Sequence, residues 1–185
     1  MEIAFIQRFV LFLGHPTYAL TVVVFLMLLS SGMGSMASRR WIAEPARVAL
    51  AIVFIVIALL VYVFALPSLL GTLVGLPFFF KLVISALLLV PLGFAMGMPF
   101  PTGLRSLSGN AAADQRNVSQ HGAVEWAWAM NAASSVLGSV LAMVIAIQFG
   151  LNVTLACGAA AYVIAMLLLP TFGEKQLLPT RASSQ

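Results

Sequence analysis

Five stretches of the chain are each apolar over about 20 residues, the length that an α-helix needs to cross the roughly 30 Å hydrocarbon core of a bilayer. They lie near residues 17–37, 46–66, 77–98, 123–148 and 151–170. Only 8% of the residues are charged, whereas a soluble domain carries about 25%. The sequence therefore predicts an all-α fold, a polytopic bundle of transmembrane helices. It divides into a membrane domain over residues 1–172 and a polar cytoplasmic tail over residues 173–185.

A shorter apolar segment, residues 3–13, precedes the first span and cannot cross the bilayer alone. It fits either an interfacial helix or the end of a helix whose beginning is missing. We predict that residues 2–9 are helical and continue into the membrane, because apolar residues surround the polar pair Gln7 and Arg8. The expected architecture is thus five full spans plus an N-terminal part-span.

Basic residues are distributed asymmetrically between the spans. Seven of the nine lie in or next to the connections on one side or in the tail, namely Arg39, Arg40, Arg47, Arg105, Arg116, Lys175 and Arg181, whereas the loops near 67–76 and 149–152 carry none. Because Lys and Arg are enriched in cytoplasmic loops, this pattern places residues 38–46, the polar loop 99–122 and the C-terminus in the cytoplasm. We expect an integral protein of the bacterial inner membrane.

This orientation predicts opposite sidedness for two serines in different loops. Ser108 lies in the loop assigned to the cytoplasm, and Ser68 lies at the end of the second full span on the other side. Cysteines placed at the two positions should therefore differ in their accessibility to an impermeant thiol reagent. Labelling of position 108 from outside intact cells would contradict the orientation.

Residue types that carry chemistry are few. The single cysteine, Cys157, excludes an intrachain disulfide, and two histidines with five acidic residues do not suggest a metal cluster. The chain has no Ser/His/Asp set, no phosphate-binding glycine loop and no dense Lys/Arg run. We therefore predict no catalytic residue, cofactor or metal in this chain, and no nucleic-acid partner.

Small residues recur at helical spacing in "SSGMGSMAS", residues 30–38. Ser31 and Ser35 are four apart, as are Gly34 and Ser38. In lipid, small residues at this spacing allow two helix backbones to approach closely. This pattern favours a helix contact, and the alternative is a flexible or substrate-facing helix end.

A polar stripe follows one face of the fourth full span. It consists of Glu125, Trp128, Asn131, Ser135 and Ser139, at steps of three or four residues. Tryptophan prefers the headgroup boundary, which places Glu125 near the cytoplasmic interface. The stripe indicates either a structural anchor and helix contact or the lining of a polar cavity.

Four further polar residues are predicted near the opposite side of the membrane: Lys81, Gln7, Arg8 and His15. Lys81 either extends its charge to the interface or serves as the counter-ion of a buried acid. Gln7 and Arg8 lie close to His15 in sequence. His15 could shuttle protons, but a lone histidine before a proline is more typical of a turn.

Three motifs occur in order: "EIAFIQRFVLFLGHPTYALTVVVFLMLLSSGMGSMASRR", "PLGFAMGMPFPTGLR" and "WAWAMNAASSVLGSVLA". Together they resemble the integral-membrane region of spermidine-synthase-like membrane proteins, over residues 1–170. In that family a membrane region, loosely similar to half of a major-facilitator bundle, is fused to an aminopropyltransferase-like domain. The resemblance implies that Met1 lies inside a helix, and that the chain is a truncated form, a split gene product or part of a larger assembly.

The enzymatic domain of that family is a soluble Rossmann-like fold with a glycine-rich nucleotide loop and acidic polyamine-binding residues, and this chain contains none of these. The resemblance therefore implies no aminopropyltransferase activity here. We expect a non-catalytic membrane module, acting as scaffold, anchor or accessory subunit, in contact with lipid and with another membrane protein or a second copy. The alternatives are a half-transporter for a polyamine-like or other small solute, and the membrane part of a split spermidine-synthase-like enzyme.

Overall fold

The computed structural model describes residues 2–41, 45–105 and 121–174. These residues contain six α-helices of more than ten residues and no strand. The helices are α1 (Glu2–Leu13), α2 (Pro16–Trp41), α3 (Pro45–Thr72), α4 (Phe78–Met96), α5 (His121–Phe149) and α6 (Leu151–Glu174). A further helical stretch over residues 99–105 follows α4. Most of the predicted cytoplasmic loop 99–122, and the predicted tail from residue 175 onward, lie outside the described residues.

Five of the helices are long and apolar enough to cross a membrane, which confirms the predicted fold class. The corresponding segments are Pro16–Ser38, Val48–Thr72, Phe78–Arg105, Val124–Phe149 and Leu151–Leu168. The sixth, α1, is a shorter apolar helix of 12 residues. In composition and helix length the chain fits an integral membrane protein.

Two glycines terminate helices at sharp turns. Gly14 after α1 and Gly150 after α5 adopt positive φ angles of 82° and 86°, which glycine adopts without steric cost. Their N–H groups bond to the carbonyls of Val10 and Ala146 at 3.0 and 3.1 Å, so they close the last helical turn. These short turns make α1 and α2, and likewise α5 and α6, antiparallel neighbours.

The second full span extends beyond its predicted end at residue 66. Helix α3 continues through Pro67 to Thr72, although proline removes one helical hydrogen bond. Leu66 and Leu70, on either side of the proline, are both buried in the core. Packing of these two leucines stabilises the extra turn.

The short helix α1 lies at the centre of the bundle. It contacts all five other helices, and its side chains Ala4, Phe5, Phe9 and Phe12 are almost fully buried. The Phe5 ring packs edge-on against Tyr62 of α3, with ring centroids 6.1 Å apart. Residues 2–9 are helical as predicted, and α1 buries one face among the other helices while Gln7 and Leu11 on the other face are exposed.

The remaining helices pack in unequal pairs. Helices α2 and α4 form the most extensive contact, α3 packs along α6, and α5 packs mainly on α6 and α1. The buried residues of α2 recur at helical spacing: Ala19, Val23, Met27, Ser30, Gly34 and Ser38. This stripe forms one continuous contact face along α2.

Candidate functional site

Helix α5 is the least buried helix of the bundle. Among its described side chains only Ala142 is buried, and every residue from 128 to 141 is exposed. The predicted stripe residues Asn131, Ser135 and Ser139 lie in this exposed part. Within the chain, therefore, these three residues do not form a close helix contact.

The polar stripe instead lines a cavity of about 700 Å³ between α5 and α6. The polar and small residues of its walls are Asn131, Ser134, Ser135, Gly138 and Ser139 from α5, and Thr154, Cys157, Gly158 and Tyr162 from α6; Leu141, Ala142, Ile145 and Ala161 add apolar surface. Ile3 of α1 and Met96 of α4 also contact it. Along α5 the lining runs from Asn131 to Ile145, which is about 21 Å at the helical rise per residue. We call this elongated space the α5–α6 groove.

The polar groups of the α5–α6 groove differ in whether they have hydrogen-bond partners. The hydroxyls of Ser139 and Thr154 donate to carbonyls of their own helices, at 2.8 and 3.1 Å. Asn131, Ser134 and Ser135 make no side-chain hydrogen bond in the described part of the chain. An amide and two hydroxyls thus face the groove with unused donors and acceptors.

The other two stripe residues lie outside the groove. Trp128 packs edge-on against Phe100, with ring centroids 5.1 Å apart. Glu125, one turn earlier on α5, is exposed. The structure therefore brings only three of the five predicted stripe residues together.

The small residues of segment 30–38 form the contact between α2 and α4. A Cβ atom at Gly34 would lie 2.0 Å from the carbonyl oxygen of Phe94, so the two backbones approach too closely for any side chain. On α4, Cβ atoms at Gly93 and Gly97 would lie 2.1 Å from Ser30 Oγ and 2.0 Å from the Ser31 carbonyl oxygen. We call this contact the α2–α4 seam.

The serines of the α2–α4 seam satisfy their hydroxyls within their own helix. Ser30 Oγ donates to the Leu26 carbonyl at 2.6 Å, and Ser31 Oγ donates to the Leu28 carbonyl at 3.1 Å. Such bonds leave no hydroxyl proton for the neighbouring helix. Ser30 and Ser31 therefore contribute to the seam through their small volume rather than through bonds to α4.

Residues of α1, α2, α4 and the turn between α1 and α2 lie close together at the end of the bundle where α2 begins. Thr17 N–H donates to His15 Nδ1 at 3.3 Å, which makes His15 the residue that caps the start of α2. Lys81 Nζ lies 5.6 Å from the centre of the Phe12 ring, a cation–π distance. No carboxylate pairs with Lys81 in the described part of the chain.

Gln7 and Arg8 project from α1 with different exposure. Gln7 is exposed, whereas Arg8 is partly buried and donates from Nη2 to the Asn152 side-chain oxygen at the start of α6. The Nε atom of Arg8 is buried without a hydrogen-bond partner. Arg8 therefore links α1 to α6 by a hydrogen bond. It is not among the described residues that line the α5–α6 groove.

Neither a metal site among the described residues nor a comparison with known proteins indicates a function for this chain. Among the described residues, no group of three or more His, Cys, Asp or Glu side chains could hold a metal ion. Comparisons with protein-family models, with curated proteins and with solved structures found no match for this chain. The α5–α6 groove is therefore the feature from which a function has to be inferred.

Two features of the fold carry sequence signals that our sequence analysis did not use. Gly93 and Gly97 form a G-x-x-x-G pattern within "PLGFAMGMPF", which is a known close-contact pattern in lipid. Tyr62 donates its hydroxyl to the Leu88 carbonyl and so links α3 to α4. A tyrosine inside an otherwise apolar span needs a hydrogen-bond partner, but the sequence does not indicate which helix provides it.

Proposed function

We propose that the chain is a non-catalytic integral membrane module that acts as a scaffold, anchor or accessory subunit of a larger membrane assembly. The observation that carries this proposal is the α5–α6 groove, which is open and elongated, and whose α5 wall includes the small residues Ser134, Ser135, Gly138 and Ser139. In the assembly a transmembrane helix of another chain lies in the groove. That chain is either a different membrane protein or a second copy of this one.

The chemistry of the groove supports a helix as its occupant. Lipid tails cannot bond to the amide of Asn131 or to the hydroxyls of Ser134 and Ser135, so exposure of these groups to hydrocarbon costs free energy. Glycine and serine at helical spacing allow a second backbone to approach closely, where dispersion and hydrogen bonds stabilise the contact. The groove length of about 21 Å corresponds to about four helical turns.

The closest alternative is binding or transport of a small solute, and the hydrogen-bonding groups of Asn131, Ser134 and Ser135 in a mainly apolar cavity favour it as a second candidate. Among the described residues that line the groove, none carries a charge. A polyamine is a multiply charged cation, and its burial without carboxylates would be costly. This candidate therefore implies an uncharged, hydrogen-bonding solute. The membrane part of a split spermidine-synthase-like enzyme is supported only by the sequence resemblance.

The proposed setting is the bacterial inner membrane, with the C-terminus in the cytoplasm. It is supported by the distribution of basic residues around the spans. The helices that end or begin at the predicted cytoplasmic side meet at one end of the bundle: Arg105 bonds to Ser38 of α2, and Phe100 packs on Trp128 of α5.

Two substitutions of Ser135 should separate packing from polar chemistry. Ser135→Leu should abolish assembly, because the leucine fills the space that the partner helix occupies. The isolated chain should remain folded, because the Ser135 side chain is exposed within it. Ser135→Ala should be nearly silent, since one interhelical hydrogen bond in lipid contributes only about 0.6 kcal/mol. The measurement is the mass of the particle extracted in mild detergent, together with its thermal unfolding midpoint.

Val136→Leu is the matched control, because Val136 is the exposed neighbour of Ser135 outside the groove lining. It should leave the assembly intact. A wild-type particle with the mass of one chain would contradict the proposal, as would an unchanged assembly in Ser135→Leu. If Ser135→Ala abolished uptake of a solute while the assembly persisted, the solute candidate would replace the scaffold.

A further inference from the structure

The side chain of Arg105, in the helical stretch 99–105 that follows α4, is held in place by two hydroxyl groups. Arg105 Nη2 donates to Ser38 Oγ at 2.8 Å and to Thr102 Oγ1 at 3.1 Å. The Ser38 hydroxyl itself donates to the Ser35 carbonyl at 2.6 Å, and that of Thr102 donates to the Met98 carbonyl at 2.8 Å. Because both hydroxyl protons are used in this way, both oxygens act as acceptors for the guanidinium.

The guanidinium of Arg105 has N–H donors that these two hydrogen bonds do not use. The two protons of Nη2 are used by Ser38 and Thr102, which leaves three N–H donors on Nε and Nη1. These have no hydrogen-bond partner in the described part of the chain, and Arg105 forms no ion pair there. The side chain is only partly buried. Among the described residues, Arg105 is therefore a fixed positive charge with unpaired Nε and Nη1 donors.

The surroundings of Arg105 place it at the level of the lipid headgroups. Phe100, in the same helical stretch, packs edge-on against Trp128 of α5, and tryptophan concentrates at the membrane interface. Helix α2 ends shortly after Ser38, just beyond Arg39 and Arg40.

Arginines are frequent in the sequence near this end of the bundle. Arg39, Arg40 and Arg47 flank the connection between α2 and α3, which also contains Glu44, and Arg105 follows α4. Clusters of basic residues next to membrane spans attract anionic lipid, by about 1 kcal/mol for each Lys or Arg near the surface. Among anionic groups, phosphate suits a guanidinium particularly well, because its oxygens accept several charge-assisted hydrogen bonds.

We propose that Arg105 binds a phosphate group at the membrane surface, and that this group belongs to the headgroup of an anionic phospholipid. The phosphate oxygens accept hydrogen bonds from Nη1 and Nε. Ser38 and Thr102 are positioning residues, which hold the guanidinium from its other side. This inference concerns a different part of the bundle from the α5–α6 groove and does not depend on the proposed function.

The test is a titration of the detergent-purified full chain with dioctanoyl phosphatidylglycerol, followed by the thermal unfolding midpoint. The lipid should raise the midpoint of the wild-type protein. Arg105→Gln should raise the half-saturating concentration about tenfold, since it removes hydrogen bonds to a charged group. Thr102→Val keeps the side-chain shape but removes one acceptor for Arg105. It should raise the half-saturating concentration about threefold, because the guanidinium is then held less well in place.

Lys81→Gln is the control, because it removes a positive charge at the opposite end of the bundle and should leave the half-saturating concentration unchanged. Zwitterionic dioctanoyl phosphatidylcholine should act more weakly than phosphatidylglycerol. An equal effect of inorganic phosphate would support the phosphate site but assign it to a soluble phosphate. Equal responses of wild type and Arg105→Gln, or no response to any of the three compounds, would overturn the proposal. If Arg105→Gln does not fold, Arg105→Lys and Thr102→Val provide the same comparison.

Discussion

Gly34→Ala is expected to destabilise the bundle, although alanine is normally the better helix former. The new Cβ atom would lie 2.0 Å from the Phe94 carbonyl oxygen, so α2 and α4 would have to move apart along the α2–α4 seam. Overpacking of this kind costs about 1–3 kcal/mol, which outweighs the gain of about 1 kcal/mol from replacing a helical glycine. Gly34→Leu should cost more. The measurement is the thermal unfolding midpoint in detergent.

Gly32→Ala provides the matched control, because Gly32 lies on the same helix with no atom within 4 Å of its would-be Cβ. It should leave the unfolding midpoint unchanged or raise it. Gly97→Ala, which approaches the Ser31 carbonyl from the other side of the seam, should behave like Gly34→Ala. Equal midpoints for Gly32→Ala and Gly34→Ala would show that α2 and α4 do not pack as described.

Phe9→Ala is expected to have the second large effect, because it removes a ring from the centre of the bundle. Phe9 is fully buried, and its ring packs edge-on against Phe12 with centroids 6.1 Å apart. Truncation of a buried phenylalanine costs about 3–5 kcal/mol in soluble proteins. In lipid the transfer contribution shrinks, because hydrocarbon surrounds both states, so we expect about 3 kcal/mol, the lower end of that range.

Leu11→Ala tests the same helix on its opposite face. Leu11 is 80% exposed, and its truncation should leave the unfolding midpoint of the protein nearly unchanged. If the two substitutions had similar effects, α1 would not be the central helix of the bundle. The comparison thus tests the placement of α1 independently of the α2–α4 seam.

The fold class was predictable because hydrocarbon imposes a simple rule on sequence. A span needs about 20 apolar residues, and that condition is visible along the chain without knowledge of any contact. The close approach at Gly34 was also predictable, since small residues at a spacing of four mark a contact face. The partner of that face was not predictable, because pairing of α2 with α4 depends on contacts between residues far apart in sequence.

Two other features required the structure. The helical periodicity of residues 3–13 was visible in the sequence, but the helices against which Phe5 and Phe9 are buried were not. The stripe containing Asn131 and Ser135 fitted both a helix contact and a cavity lining, because both uses require small polar residues on one face. Within the chain the stripe lines the α5–α6 groove, and the proposed helix contact is with another chain.

The most direct test of the proposed assembly is photo-crosslinking from the rim of the α5–α6 groove in native membranes. A benzophenone amino acid at Leu141, an exposed lining residue, should give one discrete protein adduct, whose mass distinguishes a second copy from a different chain. The same probe at Phe64, which is 79% exposed outside the groove, should react only with lipid. Ser135→Leu should abolish the adduct from position 141. If the probe at position 141 also reacted only with lipid, no partner helix would occupy the groove, and the proposed assembly would be wrong.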